Sequence, residues 1–174
     1  MLRSAHGRLG TGLVMAVGVA LVADVPAASA GCPGAGAAGA APGTQRAALL
    51  CVINRKRAAH GLRALKLDRR IQRAAGRHAR DMKRHRYFAH QRAGGPDLTT
   101  RLRRAGWTGR AWGEAIAYAC GPAASPRATV RAWMNSPPHR AIILSGTYRS
   151  GGIGVADWAP CGPGGTWVLD AGRS

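Results

Sequence analysis

Helical periodicity occupies the first two-thirds of this sequence, and two short β-like runs occupy its end. The clearest helix follows Asp68, whose side chain is the expected cap, and its apolar residues recur at three- and four-residue spacing on one face. That face consists of Ile71, Ala74, Ala75, His78, Ala79 and Met82. The β-like runs, 152–156 and 166–169, are joined by a turn rich in Pro, Gly and Cys. Helices followed by antiparallel strands predict one α+β domain, and 174 residues leave no room for two large ones.

Caps and stop signals predict the other elements. A helix is expected over 45–60, with a basic run at 55–57 on its solvated face and a glycine stop after it. Asp97 and Ser125 are expected to cap two further helices, because their side chains can accept hydrogen bonds from free backbone N–H groups. Residues 112–118 alternate in the manner of a strand at a sheet edge. Apart from this strand, the predicted elements before the last two strands are helices.

The stretch from Trp133 to Leu144 combines a hydroxyl, a proline pair and an imidazole. Ser136 followed by Pro137 predicts a helix start, with the serine side chain as the cap. His139 then lies in the first helical turn, where the positive end of the helix dipole disfavours imidazolium. A neutral ring can act as a ligand or a base. The alternative is that His139 only helps an apolar turn to pack.

Residues 1–30 have the pattern of a secretory signal peptide. Basic residues precede an apolar run at 13–23, and Ala28-Ser29-Ala30 matches the small-x-small cleavage site. That run is too short and too interrupted for a membrane span of about 20 residues. We therefore expect a signal peptide at 1–30, a Gly/Ala/Pro-rich arm at 31–44 and a folded domain at 45–174. The mature protein is expected to be extracellular and to have no transmembrane segment.

Four cysteines follow this signal, and an even number in an exported protein favours disulfides. Four cysteines allow three pairings. We favour Cys32 with Cys51, which ties the arm to the first helix, and Cys120 with Cys161, which ties two later loops. Zinc binding by cysteines is disfavoured, because no two of them are closely spaced.

The sequence is strongly basic, with 26 Lys and Arg against 7 Asp and Glu and a formal net charge of +19. Such a charge should attract polyanions such as nucleic acid, anionic lipid or acidic wall polymers. Nearly all of it is arginine, which a GC-rich genome would also produce, and we weigh that explanation equally. No nucleic-acid-binding motif accompanies the charge, so nucleic acid is not an expected partner.

Glu114 is the single glutamate of the chain and is flanked by Gly113 and an apolar run. In so basic a protein it should be either a buried partner of an arginine or a carboxylate of a functional site. His78, on the buried face of its helix, is interpreted as a hydrogen-bonded core residue. His90, Glu114 and His139 are 24 and 25 residues apart, so only the fold could bring them together.

Motifs around these residues occur in a distinctive order: Phe88-x-His90, Gly113-Glu114-x-Ile116-Ala117, Trp133-x-x-Ser136-Pro137-x-His139-Arg140 and Gly152-Ile153-Gly154-Val155-Ala156. In order and spacing they resemble the cysteine-rich secretory protein, antigen 5 and pathogenesis-related (CAP) superfamily, and in particular its bacterial secreted branch. The resemblance extends over residues 46–172. Each motif alone is weak, but the ordered set is specific.

The resemblance implies a three-layer α-β-α sandwich with a small central antiparallel sheet. It also implies a cleft in which two histidines and one or two acidic residues meet. By motif, His90 corresponds to the first cleft histidine, Glu114 to the first glutamate and His139 to the second histidine. The second glutamate of the eukaryotic members corresponds to Ser136, and none of its neighbours is acidic. This departure counts against a mechanism that needs two carboxylates.

Two chemistries are open to these residues. His90, Glu114 and His139 form a ligand set for a divalent cation, zinc or magnesium, that would leave an open water position. Alternatively, Ser136 near His139 and Glu114 could act as a serine nucleophile with its base and orienting acid. The capping role of Ser136 and the lack of a nucleophile elbow argue against that alternative. No catalytic residue is assigned, and the candidates are His90, Glu114, Ser136 and His139.

We therefore expect a secreted, monomeric, disulfide-stabilised binding module whose cleft holds a divalent cation. The ligands implied by the resemblance are lipid, sterol or an anionic envelope polymer. The competing class is an extracellular metal-assisted or serine-type hydrolase that uses the same cleft. A third alternative is that the cleft only stabilises the fold, in which case Glu114→Gln would lower thermal stability and change nothing else.

Overall fold

The computed structural model describes residues 31–174, and the predicted signal peptide at 1–30 lies outside this range. The helices of this range are α1 (Pro42–Ala58), α2 (Arg69–His85), α3 (Leu98–Arg104), α4 (Pro126–Asn135) and α5 (Pro137–Ile143). Its strands are β1 (Lys66–Leu67), β2 (Ala111–Cys120), β3 (Ser150–Ala156) and β4 (Gly164–Arg173). A short 3₁₀ turn, Gly121–Ala123, precedes α4. The elements confirm the predicted mixture of helices and a small sheet.

The four strands form one sheet in the order β1-β3-β4-β2. The three long strands are antiparallel, as predicted, with β4 pairing with both β2 and β3. The two-residue strand β1 adds a parallel edge beside β3, which makes the sheet mixed. Two residues are too few to show a strand pattern in a sequence, so this edge was not predicted. The strand β2 forms the opposite edge of the sheet.

Helices cover both faces of the sheet and complete the three-layer sandwich. On one face, Trp133 of α4 and Trp167 of β4 belong to a core shared with α1 and α5. On the other face, α2 lies directly on the strands. This close approach requires Gly152 and Gly154, because a β-carbon at either position would collide with the backbone of α2. Sheet residues with even numbers in β2 and β4 point to the α2 layer, which places the site described below.

Three of the four predicted helix caps are confirmed. The carboxylate of Asp68 accepts from two backbone N–H groups of α2, that of Asp97 accepts from α3, and the Ser125 hydroxyl accepts from α4. The prediction that Ser136 caps α5 through its side chain was wrong. Its hydroxyl instead lies within hydrogen-bond distance of the His139 ring, which competes for the same oxygen.

Two disulfides confirm the predicted pairings, Cys32 with Cys51 and Cys120 with Cys161. The first bond holds the N-terminal arm against α1, and Cys32 and Ala35 are buried there. The helix α1 begins at Pro42, slightly earlier than expected, because proline suits a first helical turn. Within residues 31–174, no helix is both long enough and apolar enough to cross a membrane.

Arg57 departs from the predicted solvated face of α1, because its side chain is fully buried. Its guanidinium donates hydrogen bonds to backbone carbonyls of two segments that are distant in sequence from each other. The acceptors are Arg63 at 2.9 Å, Ile143 at 2.7 Å, Ser145 at 3.0 Å and Tyr148 at 3.3 Å. Burial and nearby Arg149 lower the pKa of Arg57. The side chain therefore joins α1 to the turn between α5 and β3.

Candidate functional site

Glu114 is buried at the β2 edge of the sheet, on the face covered by α2. Its two carboxylate oxygens have different partners. His90 Nδ1 lies 2.8 Å from Oε1, and Arg101 Nη2 donates to Oε2 at 2.5 Å. The two interpretations of Glu114 from the sequence therefore apply together, since it is paired with a buried arginine and contacts a candidate site histidine.

Arg101 of α3 was not identified from the sequence, although it organises the surroundings of His90. It is 7% exposed, and its Nη1 donates to the carbonyl oxygens of His90 at 2.8 Å and Pro96 at 3.2 Å. One guanidinium thus binds Glu114 and the backbone that carries His90. The three arginines of α3 look alike in sequence, and only packing distinguishes the buried one.

The environment of Glu114 favours its ionised form. Burial alone would raise its pKa, but the hydrogen bond from His90 and the charge of Arg101 lower the pKa of Glu114 below its usual value. With a carboxylate as acceptor, the His90 ring donates from Nδ1 and leaves Nε2 as the nitrogen available to a ligand. Glu114 therefore fixes both the tautomer and the orientation of His90.

Asp170 is a second carboxyl group that sequence reasoning missed. It pairs with Glu114 across β2 and β4 and is fully buried. Burial and the neighbouring Glu114 raise the pKa of Asp170 well above its usual value. A protonated Asp170 can donate a hydrogen bond to Glu114, whereas two ionised carboxylates could not share this space. The signal in the sequence is a lone acid between two apolar residues, Leu169 and Ala171, both of which are buried in the structure.

We predict that Asp170→Asn changes how stability depends on pH. A raised pKa means that wild-type Asp170 supports folding below its ordinary pKa of 3.8 and loses that support as pH rises toward the folded-state value. Asparagine imitates the protonated acid at every pH. The variant should therefore gain stability relative to wild type as pH rises above about 4, by about 1.4 kcal/mol per pH unit. Urea unfolding at a series of pH values measures the difference.

Glu114 contributes the opposite dependence on pH. Because its pKa is lowered in the fold, its ionised carboxylate stabilises the protein above the ordinary pKa of 4.5, and this stabilisation is lost as pH falls. Because Glu114 and Asp170 are neighbours, the two proteins are compared above that value, where Glu114 is ionised in both. A difference between the two proteins that stays constant with pH would show that Asp170 is ionised when folded.

His78 is a buried core residue, as predicted, and it also borders the Glu114 carboxylate. Its Nε2 lies 3.8 Å from Glu114 Oε2 and has no hydrogen-bond partner among residues 31–174. Burial is the main cause that lowers the pKa of His78, so the ring is neutral at neutral pH. Glu114 is thus enclosed by His78 and Arg101 and by the protonated acid behind it.

His139 lies in the first turn of α5, in the layer opposite α2. Its Nδ1 is 3.0 Å from the Ser136 hydroxyl, and the residue is half-buried. Burial, and then the charge of His90, lower the pKa of His139, so its ring is neutral at neutral pH. His90 comes from the α2 layer and has a side chain that is 59% exposed. We call His90 and His139 the histidine pair.

The contacts of Glu114 and Ser136 distinguish between the two predicted chemistries, a metal site and a serine nucleophile. Within residues 31–174, no three His, Cys, Asp or Glu side chains are grouped as a metal site would require. Glu114 directs its oxygens to His90 and Arg101, which suits an orienting partner of a ligand better than a third ligand. Of the predicted ligand set, His90 and His139 are left as candidate donors for a cation. Ser136 contacts His139, but the acid of the site contacts the other histidine, so no Ser-His-acid series forms.

A family model described as the cysteine-rich secretory protein family matches residues 50–170. Two relatives come from Bacillus subtilis (strain 168). The uncharacterized membrane protein YlbC is 35% identical over 114 residues, which are 64% of this chain and 32% of that protein. The uncharacterized protein YkwD is 31% identical over 106 residues, which are 61% of this chain and 40% of that protein. The matches thus span well under half the length of these relatives.

Solved structures share the fold. An extracellular protein containing a SCP domain from Bacillus anthracis has a TM-score of 0.67 and 26% identity, covering 76% of this chain and 41% of that one. An outer surface protein from Borrelia burgdorferi has a TM-score of 0.62 and 20% identity, covering 72% and 90%. A cysteine-rich secretory protein from Staphylococcus aureus has a TM-score of 0.60 and 20% identity, covering 76% and 40%. The last two likenesses concern the fold alone.

Proposed function

This chain belongs to the cysteine-rich secretory protein family, and from that premise we propose that it is an exported binding module whose functional surface is the histidine pair. The observation that carries the proposal is the buried support of His90. Its Nδ1 contacts the ionised Glu114, which is itself held by the buried Arg101. Such a chain of buried polar groups orients an exposed ring, which a purely structural histidine does not need.

Two observations support export. Both cysteine pairs form disulfides, which persist in oxidising compartments and are rare in the cytosol. The similar Bacillus anthracis protein is described as extracellular. The signal-peptide pattern at 1–30 agrees with this proposal.

The histidine pair would hold a divalent cation through the Nε2 atoms of His90 and His139. Imidazole nitrogens favour zinc, whereas magnesium prefers oxygen ligands, so zinc fits these donors better. A bound zinc ion would supply a positive centre with coordination positions open to water or an anionic ligand group. The chain's own contribution is to orient His90 through Glu114 and to keep the His139 ring neutral through burial.

The ligand classes that we propose for this surface are lipid, sterol and anionic envelope polymer. The net charge of +19 supports the anionic classes, because long-range attraction concentrates polyanions at a basic protein. A hydrolase that uses the same residues is the second candidate. It is favoured by the contact between Ser136 and His139, and disfavoured because Glu114 does not contact His139.

We predict that tag-free protein binds one equivalent of Zn²⁺ in a calorimetric titration and binds Mg²⁺ more weakly. His90→Gln/His139→Gln should abolish zinc binding. The matched control is His60→Gln/His85→Gln, which removes two histidines that contact only the backbone or Asp81 at the surface. Equal loss in both variants, or no binding by wild type, would contradict a cation site at the histidine pair.

The same variants separate the two functional classes. A hydrolase loses turnover of ester or peptide substrates when His90 and His139 are replaced. A binding module that uses the histidine pair shows no turnover of these substrates even as wild type, and the same replacement weakens its lipid binding, which liposome flotation would detect.

A further inference from the structure

A pocket of about 230 Å³ lies between α2, α3 and the segment that joins them. Four arginines line it: Arg77, Arg92, Arg101 and Arg104. They come from three separate stretches of chain, so the fold concentrates positive charge that the sequence distributes. The pocket is separate from the histidine pair, neither member of which lines it.

The pocket carries an excess of positive charge. Asp81 is the one carboxylate among the lining residues. It already accepts a hydrogen bond from the Tyr87 hydroxyl at 2.6 Å and lies 3.8 Å from Arg92. Among the described residues, Arg77 and Arg104 make no ion pair and no side-chain hydrogen bond. Two guanidinium groups are therefore left to interact with something outside the chain.

The buried part of the lining also has an unused polar atom. The Nε of Arg101, a residue that is 7% exposed, has no hydrogen-bond partner within residues 31–174. His78 also lines the pocket, but its Nε2 faces Glu114 Oε2 at 3.8 Å. A buried nitrogen without a partner is uncommon in folded proteins, and a bound anion would satisfy it.

We propose that this pocket binds a phosphate group, with Arg77, Arg92 and Arg104 as its principal contacts. Arginine donates in a planar fork that matches phosphate oxygens, and charge-assisted hydrogen bonds of this kind are strong. Several guanidinium groups around one small concavity suit a dianion better than a carboxylate of single charge. The volume suits one phosphate with a few attached atoms, so the source is either a small phosphomonoester or a lipid headgroup. A nucleic-acid strand would instead need an extended basic groove.

The test uses tag-free protein at physiological ionic strength and two probes. Inorganic phosphate, followed by NMR titration, represents the soluble source. Phosphatidylcholine vesicles with and without phosphatidic acid represent the lipid source. Wild type should bind at least one probe, and Arg77→Gln/Arg104→Gln should weaken that binding at least about 10-fold, since each lost charge-assisted contact is costly.

The matched control is Arg80→Gln/Arg103→Gln. These residues lie on the same two helices and are exposed, but do not line the pocket, so the variant loses the same net charge. The control should bind within about twofold of wild type, since distant exposed charges are largely screened at this ionic strength. If the double variant does not fold, as judged by circular dichroism, the single substitutions replace it, because each residue is exposed. Equal weakening by both double variants would show a response to net charge only and overturn the proposal, as would wild-type failure to bind either probe.

Discussion

Glu114→Gln should lower the free energy of unfolding by about 3–5 kcal/mol, the range expected when one partner of a buried ion pair is removed. Arg101 is buried and would lose its counter-charge. The amide of glutamine can accept from only one of the two groups that bind Glu114, and it presents a donor to the other. Urea unfolding monitored by tryptophan fluorescence measures the loss.

The control for this variant is Asp157→Asn, whose carboxylate pairs with Lys83 at an exposed site. Removing it should change stability by less than about 0.5 kcal/mol, since exposed ion pairs contribute little. Combining Glu114→Gln with Arg101→Met should recover part of the loss, because no buried charge is then left unpaired. Additive losses in the double variant would show that the two side chains are not coupled.

The same variant separates a functional site from a structural one. If Glu114 orients His90, Glu114→Gln should also weaken zinc binding by about 10–100-fold, the usual effect of losing the partner of a metal-binding histidine. If the residues only stabilise the fold, stability falls and zinc affinity stays at the wild-type value.

Arg57→Met should cost about 3–5 kcal/mol of unfolding free energy. The substitution roughly preserves volume but removes the donor for four backbone carbonyls. Each carbonyl left unsatisfied and buried costs about 1–3 kcal/mol, reduced where water can reach it. Urea unfolding measures the change.

The matched control is Arg55→Met, on the same helix but exposed, which should change stability by less than about 0.5 kcal/mol. Arg57→Lys should fall between the two, because an ammonium group retains charge but cannot reach all four acceptors. Near-wild-type stability of Arg57→Met would mean that water replaces the guanidinium at little cost.

Much of the fold could be predicted because it depends on local signals. Asp68 and Asp97 cap helices through neighbouring N–H groups, and the amphipathic face of α2 follows from spacing alone. The disulfide pairings and the three long strands were also predicted correctly. The family resemblance, confirmed by the match over 50–170, supplied the layer order that local signals could not.

The residues that were missed act over long sequence distances. Asp170 is significant only because strand register places it opposite Glu114, and register cannot be read from either strand alone. Arg57 was assigned to a solvated face and Arg101 was not singled out, since burial of an arginine depends on acceptors contributed by distant segments. Ser136 was assigned a capping role from its position before proline, whereas its hydroxyl contacts His139 instead.

Nitrogen-15 NMR of the imidazole rings during a zinc titration tests the central proposal most directly. In phosphate-free buffer, we predict that one equivalent of Zn²⁺ shifts the Nε2 signals of His90 and His139 together. The Nδ1 proton of His90 should remain in place, because its hydrogen bond to Glu114 persists. The signals of His60 and His85 should not move. If zinc leaves the rings of His90 and His139 unchanged, or shifts only the surface histidines, the histidine pair is not a cation site.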